Sequence, residues 1–271
     1  MAGGGLSGKG AVRRSWRGLS IPKPSKSRSP KPKPSGAPKE EIIHGIQPIV
    51  EALRSGRRRT HEVLVSVDNA EVEAAAEAAG VKLVSVSRGR IEEIAEGTTH
   101  QGVAARVEPY PYSGLDELLD ASEPLILVLD GVEDPRNLGA ILRAADGAGA
   151  TGVVIPKDRA AGVTPAAVKA SAGASEHVLV ARETNLRRAL DRMKKAGVWA
   201  YAAEPGGSPP ADVDLAGPAA LVMGSEGSGI RRLVREGCDG TVSIPMRGSV
   251  SSLNVSVAAA VLLYEALRQR R

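Results

Sequence analysis

The second half of the chain alternates apolar runs with amphipathic stretches. The runs lack strict polar alternation and end at glycines, prolines or polar residues, which is typical of strands covered on both faces. They read LILVLD, GVVIP, HVLVA, VWAYAA, AALVMG and TVSIPM. Stretches with a helical period, such as NLGAILRAADGAG and TNLRRALDRMKKAG, lie between several of these runs. The pattern predicts an α/β domain over 124–271 with a mostly parallel sheet between layers of helices.

Shorter elements precede this region, from Ile42 to Val107. The pattern predicts a helix from Gln47 to Arg54, followed by alternating strands and helices at HEVLVSV, AEVEAAAEAAG, VKLVSV, RIEEIAEG and GVAARV. These elements form a small α/β domain over 41–108. Residues 109–123 read as a linker with one short helix.

Residues 1–40 differ in composition from the rest of the chain. They are rich in Pro, Lys and Ser and poor in large apolar side chains, so we expect a disordered tail. Ten of the 36 Lys and Arg side chains precede Glu40, where no acid occurs. The remaining chain has 26 basic and 31 acidic side chains, a net charge of −5. Two interpretations of this tail are attraction to RNA phosphates and a solubilising role. A third, an organellar transit peptide, fits the Pro-Lys repeats less well.

Composition excludes several classes of protein. Hydrophobic residues make up 42% of the 271 residues, enough for proper cores. The single cysteine, Cys238, permits no internal disulfide, and four scattered histidines lack zinc-ligand spacing, so we expect no metal. The sequence has no apolar run of membrane-span length and no secretory signal, so we expect a cytoplasmic protein. Aromatic residues are only 2%, which disfavours a base-stacking platform, and no Gly-x-Ser-x-Gly motif of a serine hydrolase occurs.

The segment RSGRRRTH is a basic run in the small domain. Its arginines are Arg54, Arg57, Arg58 and Arg59, in a folded region that is otherwise acidic. Such a run is usually a solvated surface. Contact with RNA is the functional alternative.

Three polar loops follow predicted strands of the larger domain, where ligands bind in parallel sheets. In the first, DGVEDPRNLGAILRA, Asn137 occupies the place of a helix N-cap and Arg143 lies off the buried stripe. Taken alone, Arg143 is an ordinary solvated residue. The second loop, GSEGSG, starts at Gly224 and is neither a P-loop nor a dinucleotide fingerprint. Its Glu226 has a simple interpretation as a favourable charge before a helix.

The third loop begins GSVSSLNVSVAAAVLL and changes from a polar turn into an apolar helix. The spacing predicts that Ser251 or Ser252 caps this helix. It predicts a buried stripe made of Leu253, Val257, Ala260 and Val261. Asn254 has no role in this interpretation.

Together, the three loops resemble the three motifs of the SpoU/TrmH family of RNA ribose 2′-O-methyltransferases, within the SPOUT superfamily. The stretches IIHGIQPIVEAL and THQGVAARV extend the resemblance through the small domain. The resemblance implies an α/β fold with a methyltransferase domain tied in a trefoil knot, an exception to the usual topology rules. It implies that a small domain similar to a ribosomal protein precedes the knotted domain and binds RNA, and that the enzyme is a homodimer.

The resemblance also implies a site for S-adenosylmethionine and a set of reacting residues. The cofactor would lie against the backbones of Gly224, Ile244 and Leu253, with Met246 and Ser251 nearby. The reacting residues carried over from the family motifs are Asn137, Arg143, Glu226, Ser252 and Asn254. Because a guanidinium almost never loses its proton, Arg143 would stabilise the attacking 2′ oxygen electrostatically, and it would act across the dimer interface.

The substrate expected from this resemblance is a guanosine in the P-site loop of large-subunit (23S) rRNA. The alternatives are an rRNA adenosine, as in the thiostrepton-resistance enzymes, and a tRNA guanosine. A catalytically inactive RNA-binding factor for ribosome assembly is the alternative from another class.

Overall fold

The computed structural model describes residues 40–95 and 100–271. Apart from Glu40, the tail predicted to be disordered lies outside these ranges. Within them, no helix is both long and apolar enough to cross a membrane.

The small domain is a four-stranded sheet with three helices. Its elements are β1 (Glu41–His44), α1 (Ile46–Ser55), β2 (Thr60–Val65), α2 (Ala70–Ala78), β3 (Lys82–Ser85), α3 (Arg88–Ile94) and β4 (Val103–Val107). The strand order is β1-β4-β2-β3, with β4 antiparallel to its two neighbours and β2 parallel to β3. The elements predicted from Gln47 onward are present with bounds shifted by a few residues. Strand β1, which the pattern did not predict, completes one edge.

The larger domain is built on six parallel strands. After α4 (Leu115–Leu119) the elements are β5 (Leu125–Asp130), α5 (Pro135–Gly147), β6 (Gly152–Pro156), α6 (Pro165–Ala170), β7 (Leu179–Glu183), α7 (Leu186–Lys195), β8 (Trp199–Ser208), β9 (Ala219–Gly224), α8 (Arg232–Arg235), β10 (Gly240–Val242) and α9 (Val255–Gln269). The strand order is β10-β8-β9-β5-β6-β7. Each neighbouring pair is parallel, which confirms the predicted sheet. Asp130 of β5 pairs with Gly224 of β9, so the loops after these central strands emerge side by side.

Helices cover both faces of this sheet. Leu127 and Leu129 of β5 pack in one cluster with side chains of α5 and α9, such as Ile141 and Leu263. The alternate residues of β5 pack in a second cluster on the opposite face with α7. Because successive side chains of a strand point to opposite faces, burial on both sides requires the unbroken apolar runs seen in the sequence.

The last helix differs from its prediction. Asn254, not Ser251 or Ser252, is its N-cap, because the Asn254 Oδ1 atom accepts a hydrogen bond from the Ser256 backbone N–H at 2.9 Å. The predicted stripe is also wrong in phase. Val257 and Val261 are 48% and 42% exposed. The buried residues of α9 are Val255, Ala259, Leu262, Leu263 and Ala266.

Helix α5 begins earlier than predicted. Asp134 is its N-cap and accepts a hydrogen bond from the Arg136 backbone N–H at 2.8 Å. Pro135 takes the first helical position, where the absent N–H of proline costs nothing. Asn137 therefore lies inside the first turn, which leaves its side chain available for contacts outside the helix.

Candidate active site

Three side chains, one from each polar loop, form a single hydrogen-bonded group. The Asn137 Nδ2 donates to Glu226 Oε1 at 3.0 Å. The Asn254 Nδ2 donates to the same Glu226 oxygen at 2.7 Å and to Asn137 Oδ1 at 3.1 Å. We call Asn137, Glu226 and Asn254 the polar triangle. Residues separated by up to 117 positions thus meet at the carboxyl end of the central strands.

The loop that carries Glu226 is held in a tight hairpin. The Ser225 backbone N–H donates to the Gly229 carbonyl at 3.2 Å, and the Gly229 N–H donates back to the Ser225 carbonyl at 3.1 Å. A Cβ added to Gly224 would lie 2.2 Å from the Gly229 carbonyl carbon, so the hairpin requires glycine at this position. The fold of the loop and the position of Glu226 are therefore linked.

An ion pair between a buried aspartate and a half-exposed arginine fixes the end of this loop. Asp130, at the end of β5, is 1% exposed and accepts hydrogen bonds from the backbone N–H and the Nε of Arg231, both at 2.7 Å. Neither residue was singled out from the sequence. The signal was present, since Asp130 is a charged residue that ends an otherwise apolar strand.

Two cavities meet at the polar triangle. The first, of about 620 Å³, is lined by all five residues predicted to hold the cofactor: Gly224, Ile244, Met246, Ser251 and Leu253. Ser252, Glu226 and Asn254 also line it. The second cavity, of about 750 Å³, contains Asn137 and Glu226 in its wall. Glu226 therefore stands between two spaces, each within the ~300–1,000 Å³ range of ligand sites.

Arg143 lies apart from the polar triangle. It is exposed on α5, and in the described part of the chain it has no ion-pair partner. Gly147, one turn further along the same face of α5, lies beside α9, because an added Cβ there would be 2.9 Å from the Tyr264 Oη. Arg143 thus faces outward next to the exposed side of α9.

The four arginines of RSGRRRTH have different environments. Arg54 is exposed and pairs with Glu51 and Glu71 of its own domain. Arg59 is exposed in a cleft of about 440 Å³.

Arg57 and Arg58 instead bond inside the protein. Arg58 is 4% exposed. The reason is local pairing: Arg58 has a buried carboxylate partner in Glu176, and Arg57 donates to the Val178 carbonyl. Arg57 is partly buried and Arg58 is buried, and both bond within the protein, so of the predicted RNA contacts Arg54 and Arg59 are the exposed residues.

The remaining candidate chemistry is limited. Within residues 40–95 and 100–271, no group of three His, Cys, Asp or Glu side chains is placed to hold a metal ion. Burial raises the pKa of the Cys238 thiol to about 11, so it stays protonated at neutral pH and is a weak nucleophile.

Comparisons of sequence agree with this geometry. The model of the SpoU rRNA Methylase family matches residues 124–264, and the RNA 2′-O ribose methyltransferase substrate binding model matches 42–113. The chain is 46% identical over 245 residues to the 23S rRNA (guanosine-2′-O-)-methyltransferase RlmB of Ralstonia nicotianae, which covers 86% of this chain and 97% of that protein. It is 42% identical to the putative TrmH family tRNA/rRNA methyltransferase YacO of Bacillus subtilis, with the same two coverages.

Comparisons of structure lead to the same family. The SpoU methyltransferase AviRb from Streptomyces viridochromogenes, solved with AdoMet, superposes with a TM-score of 0.75 and 27% identity over 86% of this chain and 91% of that chain. A crystal structure described as an RNA 2′-O ribose methyltransferase gives 0.72 and 32% identity over 86% and 89%. With both family models matched in order and the three loops joined at one site, the chain belongs to the SpoU family of RNA 2′-O-ribose methyltransferases.

Proposed function

We propose that the protein transfers a methyl group from S-adenosylmethionine to the ribose 2′-hydroxyl of a guanosine in the P-site loop of 23S rRNA. The observation that carries this proposal is the polar triangle, which joins the three family motifs at the boundary of two cavities. The guanosine and the 23S rRNA are supported by the relative from R. nicotianae. A ribosomal substrate also supports a cytoplasmic location.

The 620 Å³ cavity fits S-adenosylmethionine by its chemistry. Its lining combines apolar side chains, such as Met246 and Leu253, with backbone at Gly224 and Ile244. An adenine ring requires close packing and backbone hydrogen bonds rather than charged side chains. When bound there, S-adenosylmethionine supplies an electrophilic methyl group. The trefoil knot around this cavity stays a prediction from the family.

The protein's own residues align and stabilise the attacking ribose. Asn137 has a second Nδ2 hydrogen that no described residue accepts, and it lines the cavity on the far side of Glu226. It can therefore donate to the ribose or the adjacent phosphate. Ser252, exposed on the cofactor side, supplies a hydroxyl for the same purpose. Such alignment lowers the barrier to a displacement that needs no covalent intermediate with the enzyme.

Arg143 completes the site from a second subunit in this proposal. Val257, Val261 and Tyr264 make an exposed apolar stripe on α9, and Arg143 lies beside it. Pairing of two such stripes would bury them and bring Arg143 of one chain to the polar triangle of the other. Its fixed positive charge would stabilise the developing 2′ oxyanion.

Mixing of inactive variants tests the shared site. Arg143→Ala and Asn254→Ala subunits are each expected to be inactive, whereas a heterodimer contains one site with both native side chains and recovers activity. Heterodimers without activity would reject a site shared between subunits.

Transfer of a labelled methyl group tests the reaction itself. We expect incorporation into protein-free 23S rRNA, at a guanosine of the P-site loop, and not into bulk tRNA. The modified position is mapped by its resistance to alkaline cleavage. Methylation at another nucleotide would keep the enzyme class and overturn the substrate. Cofactor binding without methylation of either RNA would favour an inactive assembly factor.

A tRNA substrate is the second candidate, and domain organisation disfavours it. The TrmH/SpoU tRNA modifying enzyme of A. aeolicus aligns with 58% of this chain and 80% of its own, with a TM-score of 0.50. An rRNA methyltransferase from Sinorhizobium meliloti instead aligns with 85% of this chain. The substrate-binding region at 42–113 therefore supports a larger RNA target.

A further inference from the structure

A buried ionic contact joins the small domain to the larger domain. The Arg58 Nη2 lies 2.6 Å from Glu176 Oε1, and its Nε lies 3.2 Å from Glu176 Oε2. The two side chains are 1% and 0% exposed. Glu176 ends a 3₁₀ turn, Ala174–Glu176, which follows α6 in the larger domain. One guanidinium binding both oxygens of a carboxylate fixes direction as well as distance.

Arg58 also ties together the ends of the small domain's strands. Its Nη1 donates to Glu41 Oε2 at 3.1 Å and to the Glu108 carbonyl at 3.3 Å. Glu41 begins β1 and Glu108 follows β4. The hydrogen bonds of Arg58 among the described residues therefore converge where the small domain meets Glu176.

Arg57 and the linker provide a second set of contacts. The Arg57 guanidinium donates to the Val178 carbonyl at 2.7 Å and to Ser113 Oγ at 3.0 Å. The Tyr110 Oη donates to the Ser175 carbonyl at 2.9 Å, and its ring centroid lies 5.4 Å from the Arg57 guanidinium carbon. Ser113 forms a β-bridge with β7. This part of the linker is fixed along the larger domain and is not a free tether.

The contact region around Arg58 and Glu176 is connected by packing to α5, the helix that carries Asn137. A Cβ added to Gly139 of α5 would lie 2.5 Å from the Ala167 carbonyl oxygen, so α5 and α6 pack at backbone distance. A Cβ added to Gly173, after α6, would lie 2.7 Å from the Glu51 Cβ of α1. The α6 region therefore contacts the small domain on one side and the active-site helix on the other.

We propose that Arg58 is a positioning residue for methyl transfer. Its pair with Glu176 holds the small domain at the angle at which RNA bound by that domain reaches the polar triangle. The inference rests on the function proposed above, because it requires the small domain to bind the RNA. A misplacement of ~1 Å can cost on the order of 100-fold in rate, so loss of this pair should be visible in catalysis.

Steady-state kinetics with two RNAs test the proposal. Arg58→Met removes the charge and keeps most of the side-chain volume. We expect its kcat/KM for a large 23S rRNA fragment to fall about tenfold or more, with a loss in kcat. A short hairpin with the target loop alone should be methylated at nearly the wild-type rate, and the Kd for S-adenosylmethionine should be unchanged. Arg58→Lys should methylate the long RNA with an efficiency between those of the wild type and Arg58→Met, because an ammonium group can pair with Glu176 but lacks the forked geometry of a guanidinium.

Arg88→Met is the matched control. Arg88 is an exposed arginine of the same domain, paired with Glu92 at 3.1 Å on the surface of α3. We expect wild-type values for both RNAs. If Arg58→Met lowers methylation of the long RNA, methylation of the hairpin and affinity for S-adenosylmethionine equally, Arg58 has a general structural role and the proposal is overturned. Wild-type kinetics of Arg58→Met on the long RNA would also overturn it.

A distance measurement separates this proposal from the choice of substrate. Spin labels at the exposed positions of Glu77→Cys and Arg188→Cys, in a Cys238→Ser background, report the separation of the two domains. A narrow distribution that broadens with Arg58→Met is expected even if the RNA target is wrong. If the distance distribution is as narrow with Arg58→Met as with the native Arg58, the positioning role is rejected.

Discussion

A carboxylate that accepts hydrogen bonds from two asparagine side chains fixes the orientation of both amides. Glu226 does this with one oxygen, Oε1, for Asn137 and Asn254. The Asn254 amide group has both N–H donors engaged, and its Oδ1 caps α9 through Ser256. Asn254 is thus both the cap of α9 and a member of the polar triangle, so the start of the last helix positions this group.

Substitution of Glu226 separates its geometric role from its charge. Glu226→Gln retains an oxygen that can accept both amide N–H groups, whereas Glu226→Ala leaves them without that acceptor. Hydrogen bonds to a charged group contribute about 1.5–3 kcal/mol, so the alanine variant should lose about 10- to 100-fold in kcat. We expect Glu226→Gln to retain more activity. If Glu226→Gln and Glu226→Ala lose single-turnover rate equally, the negative charge of Glu226 itself acts on the substrate.

Gly224 provides a test of the cofactor cavity. Gly224→Ala places a methyl group 2.2 Å from backbone atoms of Gly229, which forces the hairpin to move. We expect at least a tenfold weaker Kd for S-adenosylmethionine, equivalent to about 1.4 kcal/mol, measured by calorimetry. Gly227→Ala, in the same loop, meets no atom within 4 Å and should bind normally. Similar affinities for the two variants would place the cofactor elsewhere.

At the scale of elements, the existence of most helices was easier to predict than their orientation, although α6 was not predicted. Helix α9 is apolar on several sides, so its sequence fits more than one buried stripe. The structure buries Leu262 and Leu263 and leaves Val257 and Val261 exposed. A periodic pattern identifies a core face only when the opposite face is polar. The cap of α5 was missed for another reason, because Asp134-Pro135 is a stronger helix start than Asn137.

The exposed stripe of α9 predicts an effect on association. Val261→Asp introduces a charge at the centre of Val257, Val261 and Tyr264, which should convert a homodimer into monomers in light scattering. Leu233→Asp, at an exposed apolar residue of α8, is the control and should leave the mass unchanged. If Arg143 acts in the site of the other subunit, methyltransferase activity should be lost together with the dimer. A Val261→Asp variant with dimer mass would exclude this stripe as the interface.

At the scale of the whole molecule, the division into two α/β regions and the parallel sheet followed from the sequence. Apolar runs and glycine-bounded loops carry that information locally. The environments of Arg57 and Arg58 could not be predicted in this way. The partner of Arg58, Glu176, is 118 positions away, and a run of arginines gives no local sign that a distant carboxylate will cover it.

The distribution of charge predicts how the whole chain responds to salt. The ten basic residues before Glu40 carry more positive charge than the net +5 of the protein. Deletion of residues 1–39 should therefore weaken RNA binding mainly at low salt and reduce the slope of log K against log salt, by about 0.7–0.9 for each phosphate that the tail had neutralised. The measurement is a salt titration of rRNA binding. An equal loss at all salt concentrations would reject an electrostatic role.

The pairing of Arg58 with Glu176 also has a consequence for biosynthesis. Chains grow at about 5–20 residues per second, so the arginine emerges from the ribosome on the order of 10 s before its carboxylate, which lies 118 residues later. Burying a guanidinium without its partner is costly. Until the α6 region has been made, Arg58 can pair with Glu41 of its own domain, and the fully buried pair with Glu176 forms when the two regions pack together.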